Sequence, residues 1–345
     1  MVVTDYMKAA RIHRFGEELR IEDVRIPEPG QRQLLIAVIA SGVCHTDLHA
    51  TAGDMPGKPS LPFIPGHEIV GRVAALGRNV VNPKEDTIVG VPSLHWACGE
   101  CGYCQSGWET LCHRQLATGY TVDGGFAEYV LAPADFVAPI PDGVDLFEIA
   151  PILCAGVTTY KALRQTRTRK GDWVVISGVG GLGHVAILYA RELGLRVAVV
   201  DVENDKLALA ERLGAELTVN ARTEDVVVKV RREIGGAQAV LVTAASASAF
   251  RAGLGMLRRG GVCVLTGLPP GDFHFPISDL VLAGLTVQGS TIGTRQDMAE
   301  ALALAANAGI RATIEKQPLE SINEVFARLK AGNVLGRVVL EIRSS

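Results

Sequence analysis

Four cysteines, Cys98, Cys101, Cys104 and Cys112, fall in the spacing Cys-x2-Cys-x2-Cys-x7-Cys. A loop that short can wrap four thiolates around one tetrahedral ion, at Zn–S distances of about 2.3 Å. The rival is an iron–sulfur cluster, whose bacterial signature has a closer fourth cysteine followed by proline. Here the last gap is seven residues and His113 follows. Zinc is the predicted ion, and with every position taken by protein the site is structural.

A second constellation is Gly178-Val179-Gly180-Gly181-Leu182-Gly183, a Gly-x-Gly-x-x-Gly run between a strand-like and a helix-like stretch. The first glycine permits a tight turn, the second lets backbone approach a pyrophosphate, and the third lets helix and strand pack closely. The helix N-terminus adds N–H donors and the positive end of its dipole. Without that setting such a run is often only a turn. The next strand ends at Asp201, whose carboxylate can accept both ribose hydroxyls of NAD and would repel the 2′-phosphate of NADP. Val202, Glu203 and Asn204 offer no arginine to receive that phosphate, so NAD is the predicted cofactor.

The remaining candidates are dispersed: Cys44 in Gly42-Val43-Cys44-His45-Thr46-Asp47, His67 in Pro65-Gly66-His67-Glu68, and Cys154 in Leu153-Cys154-Ala155-Gly156. Two cysteines and a histidine would hold zinc and leave a fourth position for water or substrate. On the residues alone the question stays open. Cys154 in its apolar run also reads as a buried core thiol, and His67 as a satisfied loop histidine.

Two kinds of element must position these groups. The 345-residue chain is long for one core and fits two domains. Its 48% hydrophobic and 21% charged residues are ordinary for a globular protein. The net charge of −3 is spread along the chain, with no basic block for nucleic acid or for an anionic membrane. Residues 1–11 lack the apolar core of a signal peptide, and glycines and a histidine break Trp173–Ala190 as a membrane span. A cytoplasmic protein is expected. Seven cysteines, an odd and clustered set, make a poor disulfide framework and favour metal.

The first ~150 residues read as short strands and turns, an antiparallel, barrel-like domain. Gln33–Ala40, Ile69–Leu76 and Phe126–Leu131 are strand-like, and Pro56–Pro65 is loop. From about residue 156 strand and helix alternate, which implies a parallel sheet. Strands are predicted at 173–177, 196–200, 216–219, 239–243 and 262–266, with Thr286–Gly289 at or near a sheet edge. Helices are predicted at 182–193, 205–213, 224–234 and 248–257. Two more helices, 296–308 and 322–331, precede a closing strand at 337–342.

Taken together, Gly66-His67-Glu68, Cys44-His45-Thr46-Asp47, the four-cysteine lobe and the glycine run stand in the order seen in zinc-dependent alcohol dehydrogenases of the medium-chain dehydrogenase/reductase family. The chain resembles that family, its tetrameric bacterial and yeast-type members in particular, from near residue 8 to the C-terminus. The resemblance implies an α/β fold: a GroES-like, mainly β catalytic domain over 1–155, with the zinc lobe at about 95–113, and a doubly wound Rossmann domain over 156–291. Residues 292–345 return to the catalytic domain. It further implies two zinc ions per chain, NAD as cofactor, a small alcohol or aldehyde as substrate, and a homotetramer built as a dimer of dimers.

Residue by residue, Cys44, His67 and Cys154 match the ligands of the catalytic zinc. Zinc supplies the Lewis acidity that ionises an alcohol near neutral pH, and hydride leaves an alkoxide far more readily. By the same resemblance Thr46 accepts the alcohol proton and passes it through the nicotinamide ribose to His49, which meets solvent. Histidine suits that step, with an unperturbed pKa near 6.5. Asp47 is the expected partner that orients His67, and Glu68 sits behind the metal. His45 and Arg337 match pyrophosphate contacts, Lys206 one near the adenosine ribose, and Thr158 one beside the nicotinamide. Each also reads as a solvated charge or an ordinary helix residue.

The chain departs from its relatives around the substrate. Thr51, Met55 and Ser93 stand where tryptophans are common. The expected consequence is a roomier pocket, favouring longer aliphatic or aromatic primary alcohols over ethanol. Zinc polyol, threonine and formaldehyde dehydrogenases share the fold, and several of them the four-cysteine lobe, but Thr46 with His49 favours simple alcohols. A non-catalytic metal- or nucleotide-binding relative would keep the glycine run and lose the ligands, all of which are present.

Overall fold

The structure is a computed structural model and describes residues 5–55 and 57–343. Pro56, the first residue of the expected 56–65 loop, and both chain ends lie outside the described residues. Two compact units emerge. One comprises the chain up to Cys154 with 292–306 and 311–345; the other comprises Ala155–Thr291 with Asn307–Ile310.

The second unit is built on a six-stranded sheet, in the order Leu217–Asn220, Arg196–Asp201, Trp173–Ser177, Ala237–Val242, Leu257–Leu265, Thr286–Gly289. Every pairing in it is parallel. Counted from Trp173 the order is 3-2-1-4-5-6, that of doubly wound dinucleotide folds. The inner strands are runs such as Val174-Val175-Ile176 and Val197-Ala198-Val199-Val200, buried because helices cover such sheets on both faces. The edge strand Thr286–Gly289 is largely exposed. Strand Leu257–Leu265 starts five residues before the expected 262, and Leu257 leaves the preceding helix, which ends at Gly255.

Helix Gly183–Glu192 buries His184 completely, with Nδ1 hydrogen-bonded to the Gly180 carbonyl at 2.9 Å. Burial lowers its pKa from 6.5 to about 4. The folded chain therefore takes up this proton less readily than the unfolded chain. The stabilisation is complete above about 6.5 and is lost as pH falls toward 4, at about 1.4 kcal/mol per pH unit. Wild type is expected to lose about 1 kcal/mol more than His184→Leu between pH 7.5 and 5.5, read from urea midpoints without NAD. Parallel losses in the two proteins would show that this imidazole does not govern the acid limb.

The first unit centres on strand Gln33–Val43, an 11-residue strand with three neighbours. Its first half pairs with Tyr129–Pro133, its second half with Arg337–Glu341, and nearly all of it with Glu68–Leu76, each antiparallel. Ile314–Pro318 lies parallel beyond 337–341, while Ile88–Val91 and Ala138–Pro139 extend the other side. Alternating Leu34, Ile36 and Val38 join Ile69, Val73, Val89, Val91 and Val130 in one core. A hairpin-like pair, Tyr6–Arg11 with Arg20–Arg25, covers a second core that includes Phe63, Phe126 and Ile322.

Candidate active site

Sheet register explains how residues 110 positions apart in the sequence converge. Val43 lies opposite Val338 and Gly42 opposite Glu68, so three strands end side by side. Cys44 leaves the central strand there, His67 precedes Glu68 on one neighbour, and Arg337 precedes Val338 on the other. Cys154 arrives from the short 3-10 turn Ala150–Leu153. Gly66 makes the approach possible: its φ is +100°, and a Cβ would stand 2.6 Å from the Phe126 ring. The ligand atoms of Cys44, His67, Glu68 and Cys154 all lie within 4.8 Å of one another, and all four residues are buried.

Asp47 holds this arrangement from behind. Its Oδ1 accepts from His67 Nδ1 at 2.9 Å and from the Gly66 N–H at 3.2 Å. Its Oδ2 accepts from the Cys44 N–H at 2.8 Å, which caps helix His45–Ala52. With Nδ1 committed to Asp47, Nε2 is the nitrogen left facing the cluster, 3.9 Å from Glu68 Oε1. Burial is the largest single influence and works against the charged imidazole, but Asp47 and Cys44 together outweigh it and lift the His67 pKa to about 10. The Cys44 thiol is drawn well below its ordinary value by the hydrogen bond from Cys154, opposed by burial and aided by Arg337 and His67. Thiolate and imidazole thus share protons that a dication displaces on binding.

The donor set fits zinc: soft thiolates and one imidazole whose other nitrogen is already bonded to the Asp47 carboxylate. Glu68 forms a buried ion pair with Arg337, while its Oε2 has no hydrogen-bond partner. Thr46 Oγ1 accepts from Cys44 Sγ at 3.7 Å. His49 lies a turn further along the same helix, one third exposed, with Nδ1 3.0 Å from Asp54. Asp54 was not singled out from sequence; its five-residue offset from His49 crosses the helix end, which periodicity does not read. Thr51 is buried and turns its hydroxyl back to the Asp47 carbonyl at 3.0 Å. His45 is exposed at the helix start.

The four-cysteine lobe has little structure of its own: helix Gly102–Gln105, a three-residue 3-10 turn at Glu109–Leu111, and the pair Leu94–Trp96 with Leu116–Ala117. The thiols of Cys98, Cys101, Cys104 and Cys112 lie within 4.8 Å of one another. That is the spacing of ligands around one tetrahedral ion. Glu109, buried between the third and fourth cysteines, accepts from Arg295 through Nε at 2.9 Å, through the backbone N–H at 3.1 Å, and through Nη2. The Arg295 guanidinium also covers the Phe136 ring at 4.4 Å.

In the second unit Gly178 has φ +101° and Gly183 packs against the Gly178 carbonyl, while a Cβ on Gly180 would meet nothing within 4 Å. The backbone there faces open space, as close approach of a pyrophosphate would require. Leu182 opens the helix that follows, and Gly181 stands before it. Asp201 ties the turn to the sheet: Oδ2 accepts from Val179 N–H at 2.7 Å, and Oδ1 from Val202 and Glu203 N–H at 2.8 and 3.0 Å. Lys206 sits in the first turn of helix Asn204–Arg212, and Thr158 is buried in helix Ala155–Gln165. The local sequence after Asp201 offers no arginine, yet one is present. Arg222, beyond the neighbouring strand, pairs with Glu203.

A buried Cys–His–Cys cluster in one unit and a dinucleotide cradle in the other define a zinc-binding, nucleotide-dependent dehydrogenase. Residues 30–142 match the alcohol dehydrogenase GroES-like domain, and 181–307 match the zinc-binding dehydrogenase domain. An alcohol dehydrogenase of Moraxella sp. (strain TAE123) is 56% identical over 335 residues, covering 97% of this chain and 99% of that one. The crystal structure of an alcohol dehydrogenase from Aeropyrum pernix superposes with a TM-score of 0.90 at 33% identity, covering 97% of this chain and all of that one. Acetophenone reductase of Geotrichum candidum, solved in complex with NAD, superposes at 0.88 with 28% identity and 99% of each chain. The chain belongs to the zinc-dependent alcohol dehydrogenases of the medium-chain dehydrogenase/reductase family. It is an NAD-dependent enzyme that interconverts alcohols and carbonyl compounds, with zinc and NAD as cofactors.

Proposed function

We propose that this enzyme oxidises primary alcohols longer or bulkier than ethanol, using Cys44, His67 and Cys154 as the ligands of its catalytic zinc. The convergence of those three side chains beside Thr46 carries the reading. Zinc there supplies Lewis acidity toward the alcohol oxygen, and NAD is the hydride acceptor. Thr46 Oγ1 receives the alcohol proton while giving up its own, which leaves by way of His49, a surface imidazole oriented by Asp54. Asp47 fixes His67, and Arg337 pairs with the Glu68 carboxylate beside the ligand cluster. Cys98, Cys101, Cys104 and Cys112 hold a structural zinc. His45 and Arg337 serve the pyrophosphate, together with Gly178, Gly180, Gly181, Leu182 and Gly183; Asp201 and Lys206 serve the adenosine ribose, and Thr158 the nicotinamide.

Residues 1–155 with 292–345 form the catalytic domain in this reading, and 156–291 the NAD domain. The exposed edge strand Thr286–Gly289 and the exposed Ile277, Val281 and Leu282 support pairing with a second copy, as a step toward a cytoplasmic tetramer. No single helix among the described residues is long and apolar enough to cross a membrane.

Thr51, Met55 and Ser93 support the larger substrate, since none fills the volume of an indole. NADH formation across ethanol, butanol, hexanol, octanol and benzyl alcohol is expected to give kcat/KM rising about tenfold or more from ethanol. One extra methylene in an apolar pocket contributes about 1 kcal/mol or more. Ethanol as the best substrate of the panel would show that the space is filled from elsewhere.

A further inference from the structure

At the ribose end of the nucleotide cradle, strands 196–201 and 217–220 finish side by side, with Asp201 opposite Asn220. The turns that follow are tied together: Asn220 Nδ2 donates to Asn204 Oδ1 at 2.6 Å. Asn220 Oδ1 accepts from the Arg222 N–H at 2.8 Å, which sets the direction in which the chain leaves the strand. From there the Arg222 guanidinium reaches the Glu203 carboxylate through Nη2. The Glu203 N–H in turn donates to Asp201 Oδ1 at 3.0 Å. Asp201, Glu203 and Arg222 are thus linked in series within one patch. The outer pair is open to solvent, with side-chain exposures of 48% and 63%.

A nucleotide whose ribose meets Asp201 brings its 2′ position to this patch. In NAD that position is a neutral hydroxyl. In NADP it is a phosphate with nearly two negative charges, for which a planar guanidinium is the best-matched partner. The cation is in place, but it is already engaged by a carboxylate that would itself repel the phosphate.

We propose that Glu203 and Arg222 form a second cofactor-discriminating pair: Glu203 keeps Arg222 occupied, so a 2′-phosphate meets the Asp201 carboxylate and an already ion-paired guanidinium, leaving Lys206 as the cation of the ribose site. Released from Glu203, Arg222 becomes the phosphate's partner. The proposal rests on the reading of Asp201 as the ribose carboxylate, and its test separates the two.

Four variants, Glu203→Gln, Arg222→Gln, the double variant and Asp201→Gly, are compared with wild type for kcat/KM of NAD⁺ and NADP⁺ with one alcohol. Glu203→Gln is expected to raise the NADP⁺ value about fivefold, equivalent to one exposed ion pair. NAD⁺ kinetics should stay within about twofold and thereby report an intact fold. The gain should vanish in the double variant and shrink with added salt, as exposed charge contacts do. No gain in Glu203→Gln overturns the proposal. A gain that survives loss of Arg222 overturns it too, because Glu203 would then act by its own charge. If Asp201→Gly shifts the NAD⁺/NADP⁺ ratio while Glu203→Gln does not, only the pair fails. If Asp201→Gly leaves the ratio untouched, the reading of Asp201 fails.

Discussion

Replacing Asp47 by alanine is expected to strip one of two zinc ions from the enzyme and lower kcat/KM by at least about a hundredfold, although Asp47 is not a ligand. Its carboxylate accepts three hydrogen bonds at once, from His67 Nδ1, the Gly66 N–H and the Cys44 N–H. Two of these donors are backbone groups in buried segments, and each left unpaired costs about 1–3 kcal/mol. The third is the bond that aims His67 Nε2 at the cluster; losing such a partner typically weakens a metal site about 10–100-fold. The two segments carrying Cys44 and His67 are latched by the two oxygens of one carboxylate, so both ligands loosen together. Asp47→Asn should fall between wild type and alanine. Its carbonyl can serve the donors at one of the two oxygen positions, but its amide then faces an N–H at the other. Zinc per chain after desalting, measured beside kcat/KM, decides the matter. Two zinc ions and near-normal kcat/KM in Asp47→Ala would mean that His67 is aimed by something other than this carboxylate.

What could be read in advance divides by the distance over which each signal acts. The glycine run and the cysteine spacing are local: a turn that opens a helix and a loop that wraps an ion are both specified within about twenty residues. The Cys44–His67–Cys154 site is not local. It exists because Val43 registers with Val338 and Gly42 with Glu68, and pairing register is invisible in a single chain. Resemblance to a family supplied that link; residue pattern did not.

The missed elements have equally specific causes. Helix Ala155–Gln165 buries nine of its eleven residues, the polar Thr158, Thr159 and Lys161 among them, so residue polarity there does not mark an outward face. Helix His45–Ala52 is capped through Cys44 and Asp47 rather than by serine, threonine or asparagine, and its apolar pattern is weak. Strand Ile314–Pro318 reads Ile-Glu-Lys-Gln-Pro and pairs on one side only, where polar residues and a terminal proline are tolerated. Arg222 does not stand among the residues that follow Asp201, because it reaches the patch from the turn after the neighbouring strand.

The second large effect should appear at the opposite kind of site, where metal supports fold rather than chemistry. Substituting Cys104 by serine is expected to release the other zinc and to lower Tm by about 10 °C, while kcat/KM of the molecules that remain folded stays within about threefold. The lobe from Leu94 to Ala117 has a small core, Leu94, Ala97 and Cys112 with Phe136, and its longest helix is four residues. Elements that short cannot hold themselves. Metal coordination is what closes the loop, and structural zinc in small modules contributes about 10–16 kcal/mol of apparent binding free energy. Part of that loss is offset, because Arg295 grips Glu109 through three donors and stacks on Phe136. A net loss of about 5 kcal/mol translates to about 10 °C when it is felt by the first unit alone, which carries the lobe. Unfolding should therefore begin locally, with trypsin cutting after Arg114 before the rest of the chain yields. Removing the Arg295 grip in the same background, by Arg295→Ala, should bring that cut forward further. If Cys104→Ser instead kept its Tm and resisted trypsin at Arg114, the small apolar core and the Glu109–Arg295 pair would be sufficient, and the four thiolates would owe their spacing to something other than holding this lobe closed.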